Sequence, residues 1–381
     1  MRRYLPLLLV PLAFMSVACP PAPKDDLTKN KVNVKEDDKP AIEVPSALKP
    51  RIEAAIAQVQ SRDLLTTNYF WTVFHGILGS GLDKTMLTDP ETQKKTNAID
   101  YICDGGVIKG MQFLLKPEGL DVLTADGSNL QLQGIAQGHQ DQFIAEMAQW
   151  GMPKDRKFKV GGKDFTFEDF TRFSKMRASV QQKPKQELSW AIIVIAQYYG
   201  TDVAPWTNRF GEKISYDDVV KYELNESIEN AACGGTHRLF GMTWAYHLHL
   251  KNGGKTTGVW RDVEAKIAEY KGLARSMQNP DGSFSTDYFK SKAHVDDPHL
   301  RIGTTGHIVE WLALAMTDEE LKEAWMQEAV SRLARMILDM SRDEVDSGAL
   351  YHAAHGLYLY HTRVYGNPPT FLALPTRPKK T

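Results

Sequence analysis

Two kinds of helical pattern alternate along the chain from residue 46 onward. Ser46 stands where a cap belongs, and Ile52, Ala55, Ile56 and Val59 put one apolar stripe on a helix over 48–62. The next stretch, 64–78, is apolar nearly all round, with Phe70, Trp71, Val73, Phe74 and Ile77. A helix that hides every face needs neighbours on every side. The two patterns then take turns. Striped helices are predicted over 97–103, 166–181, 215–230, 259–278 and 318–340, with Asp89-Pro90-Glu91 as a start signal ahead of the first. All-round apolar helices are predicted over 138–150, 186–199, 236–249, 305–316 and 349–361.

Six helices of each kind in alternation predict an all-α (α/α)6 toroid. Its inner helices would run parallel, with the outer helices covering them. A pair of helical bundles is the alternative. The hairpins are unevenly spaced, which excludes a simple solenoid. Two stretches break the helical pattern. Residues 107–128, and 157–163 around Gly161-Gly162, read as small β-hairpins inserted between helices.

The ends of the chain are of other kinds. Arg2 and Arg3 precede an apolar run that ends in Ser16-Val17-Ala18-Cys19, the pattern of an export signal. Residues 20–44 mix Pro, Lys, Asp and Glu with few apolar residues and read as a tether. The domain assignment is therefore a signal peptide over 1–18, a tether over 19–44, the toroid over 45–365 and an extended tail over 366–381. With 381 residues, 42% of them hydrophobic, the chain can bury a large core. A formal net charge of -1 gives no reason to expect nucleic acid as a partner, and nothing points beyond a monomer. Cys103 and Cys233 could pair in an exported protein or remain two free thiols.

Several motifs resemble known families. Ala18-Cys19 is similar to the lipobox of bacterial lipoproteins, with Ser16 where Leu is usual. The resemblance implies a lipid on Cys19 and an extracytoplasmic, membrane-anchored protein, periplasmic or at the cell surface. Gln278-Asn279-Pro280-Asp281-Gly282-Ser283-Phe284 resembles the Q-x-x-D-G-S-W repeat of squalene and terpene cyclases. Tyr351-His352-Ala353-Ala354-His355-Gly356 resembles a helix of protein prenyltransferase β subunits, which implies a zinc ligand at His352. The Asp and Cys partners of that zinc have no counterpart here. Thr305-Gly306-His307-Ile308-Val309-Glu310-Trp311 resembles the G-H-x-x-E-W helix of sugar 2-epimerases, where the His and Glu belong to a sugar pocket. All three families imply an α/α toroid more than a reaction. The blocks together also resemble a group of exported planctomycete proteins.

Candidate chemistry gathers where the apolar helices begin. Cys233-Gly234-Gly235-Thr236-His237-Arg238 breaks the chain, caps a helix and puts His and Arg in its first turn. Gly138-His139, Gly306-His307 and Tyr351-His352 repeat that plan. Parallel inner helices would bring these starts, and the positive ends of their dipoles, to one cleft. His139, Asp141, Glu187, His237, His307 and Glu310 are the candidate acids and bases. Gln140, Thr236, Arg238, Tyr351, His352 and His355 are the candidate ligand-binding groups.

Three readings stay open. The first is a glycan-active hydrolase, lyase or epimerase for a polar, possibly anionic substrate. The second is a non-catalytic binding or scaffold toroid. The third is an isoprenoid-type or zinc enzyme using Cys233, His237, His352 and His355, although Gly234 and Gly235 break the helical spacing of Cys233 and His237. No cofactor is assigned. Each His could also simply cap a helix or bond a neighbouring carbonyl.

Overall fold

The computed structural model describes residues 44–366 apart from 90, 126–129, 184 and 341–344. The predicted signal, the Cys19 lipid site, almost all of the tether and all but the first residue of the tail lie outside the described residues. Among those described, no helix is long and apolar enough to cross a membrane.

The protein is mostly helical, with small β-hairpins. The striped helices are α1 (Leu48–Gln60), α3 (Ala98–Cys103), α5 (Phe167–Arg177), α7 (Tyr216–Asn225), α9 (Val259–Met277) and α11 (Ala324–Asp339). The apolar helices are α2 (Phe70–Leu78), α4 (Gln142–Gln149), α6 (Ala191–Tyr199), α8 (Thr236–Lys251), α10 (Pro298–Ala315) and α12 (Ser347–Tyr365). Most residues of these six are buried, and every residue of α4 is. Each of the six touches the next, and α12 touches α2. Helix α1, the first striped helix, packs on α11 and α12.

Four small sheets sit between the helices. Strands β1 (Leu64–Leu65), β2 (Thr85–Asp89) and β3 (Lys94–Asn97) form one, with β1 parallel and β3 antiparallel to β2. The predicted hairpins are β4 (Phe113–Lys116) with β5 (Gly119–Val122), and β6 (Lys157–Val160) with β7 (Lys163–Thr166). A further pair is β8 (Trp206–Thr207) with β9 (Lys213–Ile214).

Several element boundaries differ from the sequence reading, and three of them have a clear local cause. Leu64 and Leu65 pair with Met86 and Leu87, so α2 starts only at Phe70. Asp89 starts no helix. Its Oδ1 accepts from the backbone N–H of Glu91 at 2.9 Å and of Thr92 at 3.2 Å, forming the turn between β2 and β3. Helix α10 begins seven residues earlier than its apolar run. Pro298 opens it and Asp297 caps it, with Leu300 N–H donating to Asp297 Oδ1 at 2.8 Å.

The motif at residues 278–284 is a clamp between helices. Gln278 Nε2 donates to the Trp325 carbonyl on α11 at 2.7 Å. Asp281 Oδ2 takes Arg301 of α10 at 2.6 Å and Arg332 of α11 at 3.1 Å.

Helices α10 and α12 approach closely through glycine. A Cβ on Gly356 would stand 2.8 Å from the backbone nitrogen of Glu310, and one on Gly306 would stand 2.7 Å from Ala353 Cβ. Backbone cannot give way as a flexible side chain can. Gly356→Ala is therefore expected to destabilise by roughly 2 kcal/mol, despite the better helix propensity of alanine. Gly272→Ala, on the exposed face of α9 with no atom within 4 Å, is expected to stabilise by up to about 1 kcal/mol. Thermal unfolding of the two variants should show shifts of opposite sign.

Candidate functional site

The break ahead of α8 shapes the site. Cys233, Gly234 and Gly235 are all left-handed, with φ of 49°, 59° and 79°. A Cβ at Gly234 would fall 2.1 Å from the Tyr288 ring, and one at Gly235 would fall 2.3 Å from the Ile228 carbonyl, so only glycine fits either position. Cys233 itself carries the strain of a non-glycine residue in this region. Thr236 Oγ1 closes the turn by donating to the Cys233 carbonyl at 2.8 Å. The reversal returns the Cys233 sulfur to the start of the helix, within 4.8 Å of ring nitrogens of His237 and His307. The glycines that break the helical spacing are what bring Cys233 to His237.

Five imidazoles meet above this turn. The His237 ring centroid lies 5.0 Å from that of His139, 5.3 Å from His307 and 5.5 Å from His352. His307 and His352 are 4.4 Å apart, and His75 of α2 is 5.2 Å from His352. Four of the five are oriented through Nδ1. His307 Nδ1 lies 2.7 Å from the Gly303 carbonyl, and His75 Nδ1 lies 2.8 Å from the Trp71 carbonyl. His139 Nδ1 lies 2.7 Å from Glu187 Oε2, and His352 Nδ1 lies 2.8 Å from Glu310 Oε2. These partners accept, so the proton sits on Nδ1 and Nε2 turns inward. His237 differs: both its ring nitrogens are buried without a well-aligned hydrogen bond.

The carboxylates are placed as supports. Glu310 takes His352 on one oxygen and His355, at 2.6 Å, on the other. Burial would raise its pKa, but the His352 and His355 contacts outweigh that and hold it well below the usual carboxylate range. Burial likewise opposes ionisation of Glu187, and the charge and hydrogen bond of His139 reverse it. Burial holds His352 down to about 4 against the pull of Glu310. His139 goes the other way, up to about 10, because Glu187 and Cys233 outweigh its burial. His307 rises to about 9 because Cys233 beside it outweighs burial. The Cys233 thiol is drawn well below its ordinary value, with burial overcome by His237 and His307.

A pocket of about 200 Å³ opens onto this cluster. Cys233, His237, His307 and His352 line it, with Trp71 and Tyr288 as its aromatic walls. Helix α10 starts early enough that His307 lies two and a half turns inside it, yet level with His237 in the second position of α8.

The structure gathers His139, Glu187, His237, His307, Glu310, His352 and His355. Of these, His237, His307 and His352 line the pocket, and none of the other predicted groups does. Asp141 is buried against Arg177, 2.6 Å away, which also takes Asp121. Arg238 pairs with Glu223 of α7 at 2.8 Å and donates to the Ser227 carbonyl. Tyr351 packs on Gly79 at the end of α2. Thr236 lies under Cys233, and Gln140 lies outside the pocket lining. Sequence reasoning missed His75 and Glu146. The signal for each was the one titratable residue of a largely buried helix, His75 within F-W-T-V-F-H-G and Glu146 within F-I-A-E-M-A. Both cysteines in the described residues are free thiols.

No family model, curated protein or solved structure matches the chain. The chemistry of the donors therefore carries the assignment. Among the described residues, three groups could hold a metal ion: Cys233 with His237 and His307, His139 with Glu187 and His237, and His75 with Glu146 and His352.

Proposed function

We propose that the chain is an (α/α)6 toroid whose inner helices form a metal-dependent site for a small polar ligand. The closed circuit of contacts among the six apolar helices supports the toroid. The observation that carries the site is His237. A buried imidazole with neither nitrogen in a well-aligned hydrogen bond is costly. Here it stands among neighbours whose Nδ1 atoms are already committed, with the Cys233 sulfur beside it. Fixing one ring nitrogen by a carbonyl or carboxylate is how proteins orient histidine for a metal on the other. Cys233, His237 and His307 supply one sulfur and two nitrogens, a donor set that suits zinc and leaves a coordination position toward the pocket. When bound, such an ion supplies Lewis-acid chemistry.

The chain's own groups do the rest. Glu187 orients His139 at the edge of the cluster, where it can take or give a proton. Glu310 holds His352 in one tautomer. Trp71 and Tyr288 offer flat faces of the kind a sugar ring packs on. The pocket is smaller than the roughly 300–1,000 Å³ typical of drug-sized ligands. It therefore suits one sugar unit, or the end of a glycan, rather than the middle of a polymer. An exported, lipid-anchored protein with this site would act on or bind glycans outside the cytoplasm.

The test is metal analysis of the purified full chain after exposure to zinc and dialysis. At least one tightly held equivalent is expected, reduced in Cys233→Ser. Calorimetry with neutral and acidic monosaccharides should then show binding that depends on the metal. A wild-type chain that retains no transition metal would overturn the proposal.

A further inference from the structure

A second group of donors lies beside the first and is not explained by it. His75 of α2, Glu146 of α4 and His352 of α12 place one ligand atom each within 4.8 Å of one another, all three buried. Glu146 is 0% exposed. One of its oxygens accepts from Gln142 Nε2 at 3.0 Å, and the other has no partner. The nearest positive candidate is His75 Nε2 at 3.6 Å, but His75 carries its proton on Nδ1, committed to the Trp71 carbonyl. Burial pushes the Glu146 carboxyl well above the usual carboxylate range, yet whichever oxygen carries a proton, the second oxygen stays buried without a partner.

The same gap shows in Gln142. Its Nε2 lies 3.1 Å from His75 Nε2 as well as 3.0 Å from Glu146, while its Oε1 is buried without a partner. Amide oxygen and nitrogen are told apart by their surroundings. As placed, its N–H groups meet both His75 Nε2 and Glu146; turned, its oxygen would face those two acceptors instead, which is favourable only around a cation. Two imidazoles, a carboxylate and an amide oxygen would then converge from α2, α4 and α12.

Resting on the metal reading of the pocket, we infer that a second divalent cation binds here, held by His75, Glu146 and His352, so that the centre is dinuclear. The cation would supply the charge that Glu146 lacks and take its unpartnered oxygen. Ligands at about 2.1 Å from a tetrahedral ion stand roughly 3.4 Å apart. The separation of 3.6 Å between His75 Nε2 and Glu146 Oε1 is already close to this, and the His352 ligand atom lies within 4.8 Å of both. The His307 and His352 rings, 4.4 Å apart, form the wall between the two positions. Of the second set only His352 lines the pocket. The donor set, with no sulfur, suits zinc, manganese or iron(II).

The experiment titrates the chelator-stripped full chain with zinc, and separately with cobalt(II), whose bond to a thiolate gives a near-ultraviolet charge-transfer band. The wild type is expected to bind a second equivalent of zinc. Glu146→Gln and His75→Ala should each lose that equivalent while keeping the first, along with the cobalt–thiolate band. Cys233→Ser should lose the band. A wild type that binds a single equivalent and shows the band would overturn the second position and leave the first standing. A wild type that binds none would overturn both. A second equivalent that survives in both Glu146→Gln and His75→Ala would also overturn the assignment. Should either variant fail to fold, as judged by circular dichroism, the other decides.

Discussion

Replacing His237 by leucine is expected to weaken the metal position it shares with Cys233 and His307 and to stabilise the metal-free protein. The two effects share one cause. His237 buries two polar nitrogens without aligned partners, between the Trp190 ring at 4.8 Å and the His139 ring at 5.0 Å. Each such group costs about 1–3 kcal/mol. Leucine fills most of the same space with no polar atom. In the chelator-treated protein, His237→Leu should raise stability by roughly 2 kcal/mol, a Tm gain of about 5 °C for a chain of this size. Metal affinity should move the other way. Structural zinc sites bind with about 10–16 kcal/mol shared among four ligands, so losing one ligand should cost at least roughly 100-fold. Calorimetric unfolding with and without zinc reads both effects. A His237→Leu protein that keeps wild-type zinc affinity, or is less stable than wild type when metal is removed, would show that His237 is only a packed core residue.

The parts of the fold that local periodicity controls could be read in the sequence. Ile52, Ala55, Ile56 and Val59 bury one face of α1, and Phe70, Val73, Phe74 and Ile77 bury α2. The alternation of the two kinds held through all twelve described helices. Boundaries set by long-range partners could not be read. Leu64 and Leu65 belong to the apolar run of α2, but their partners lie more than twenty residues on, at Met86 and Leu87. Helix α10 begins in a stretch of Asp, Pro and His whose apolar content says loop. A proline at its first position and Asp297 as cap decide otherwise.

The site divides along the same line. His139, His237, His307 and His352 carried a visible signal, since each follows a glycine, threonine or tyrosine near the head of an apolar stretch. Asp141 and Arg238 carried the same signal and are used elsewhere. Arg177, 36 residues from Asp141, and Glu223, 15 residues from Arg238, claim them as buried ion pairs. Such pairs are strongly preferred to leaving either charge alone, and their partners cannot be inferred from spacing. His75 was masked for the opposite reason. Its helix is so apolar that one histidine reads as a core residue bonded to the preceding turn. It does make that bond, to Trp71, and the bond is what frees its Nε2 for the hollow.

Glu310→Ala is expected to be the most destabilising single change in the site, and Glu310→Gln to separate stability from chemistry. The carboxylate accepts from His352 and His355 at 2.8 and 2.6 Å, all three side chains being buried. Removing one partner of a buried ionic cluster typically costs about 3–5 kcal/mol. Here Ala would leave two Nδ1–H groups without acceptors, and the His355 Nε2 lone pair already has no donor. A Tm fall of roughly 10 °C should follow. Glutamine keeps the volume and one acceptor. It can take the Nδ1 proton of one histidine, but it presents an N–H to the other. That ring must then move its proton to Nε2. If the ring is His352, its inward lone pair is lost. Glu310→Gln should therefore cost only about 1–2 kcal/mol of stability, yet weaken metal binding by about 10–100-fold. Ring nitrogen shifts from NMR of the ¹⁵N-histidine protein would show the tautomer directly. Wild-type tautomers and wild-type zinc affinity in Glu310→Gln would mean that Glu310 holds the helices together and does not set the site.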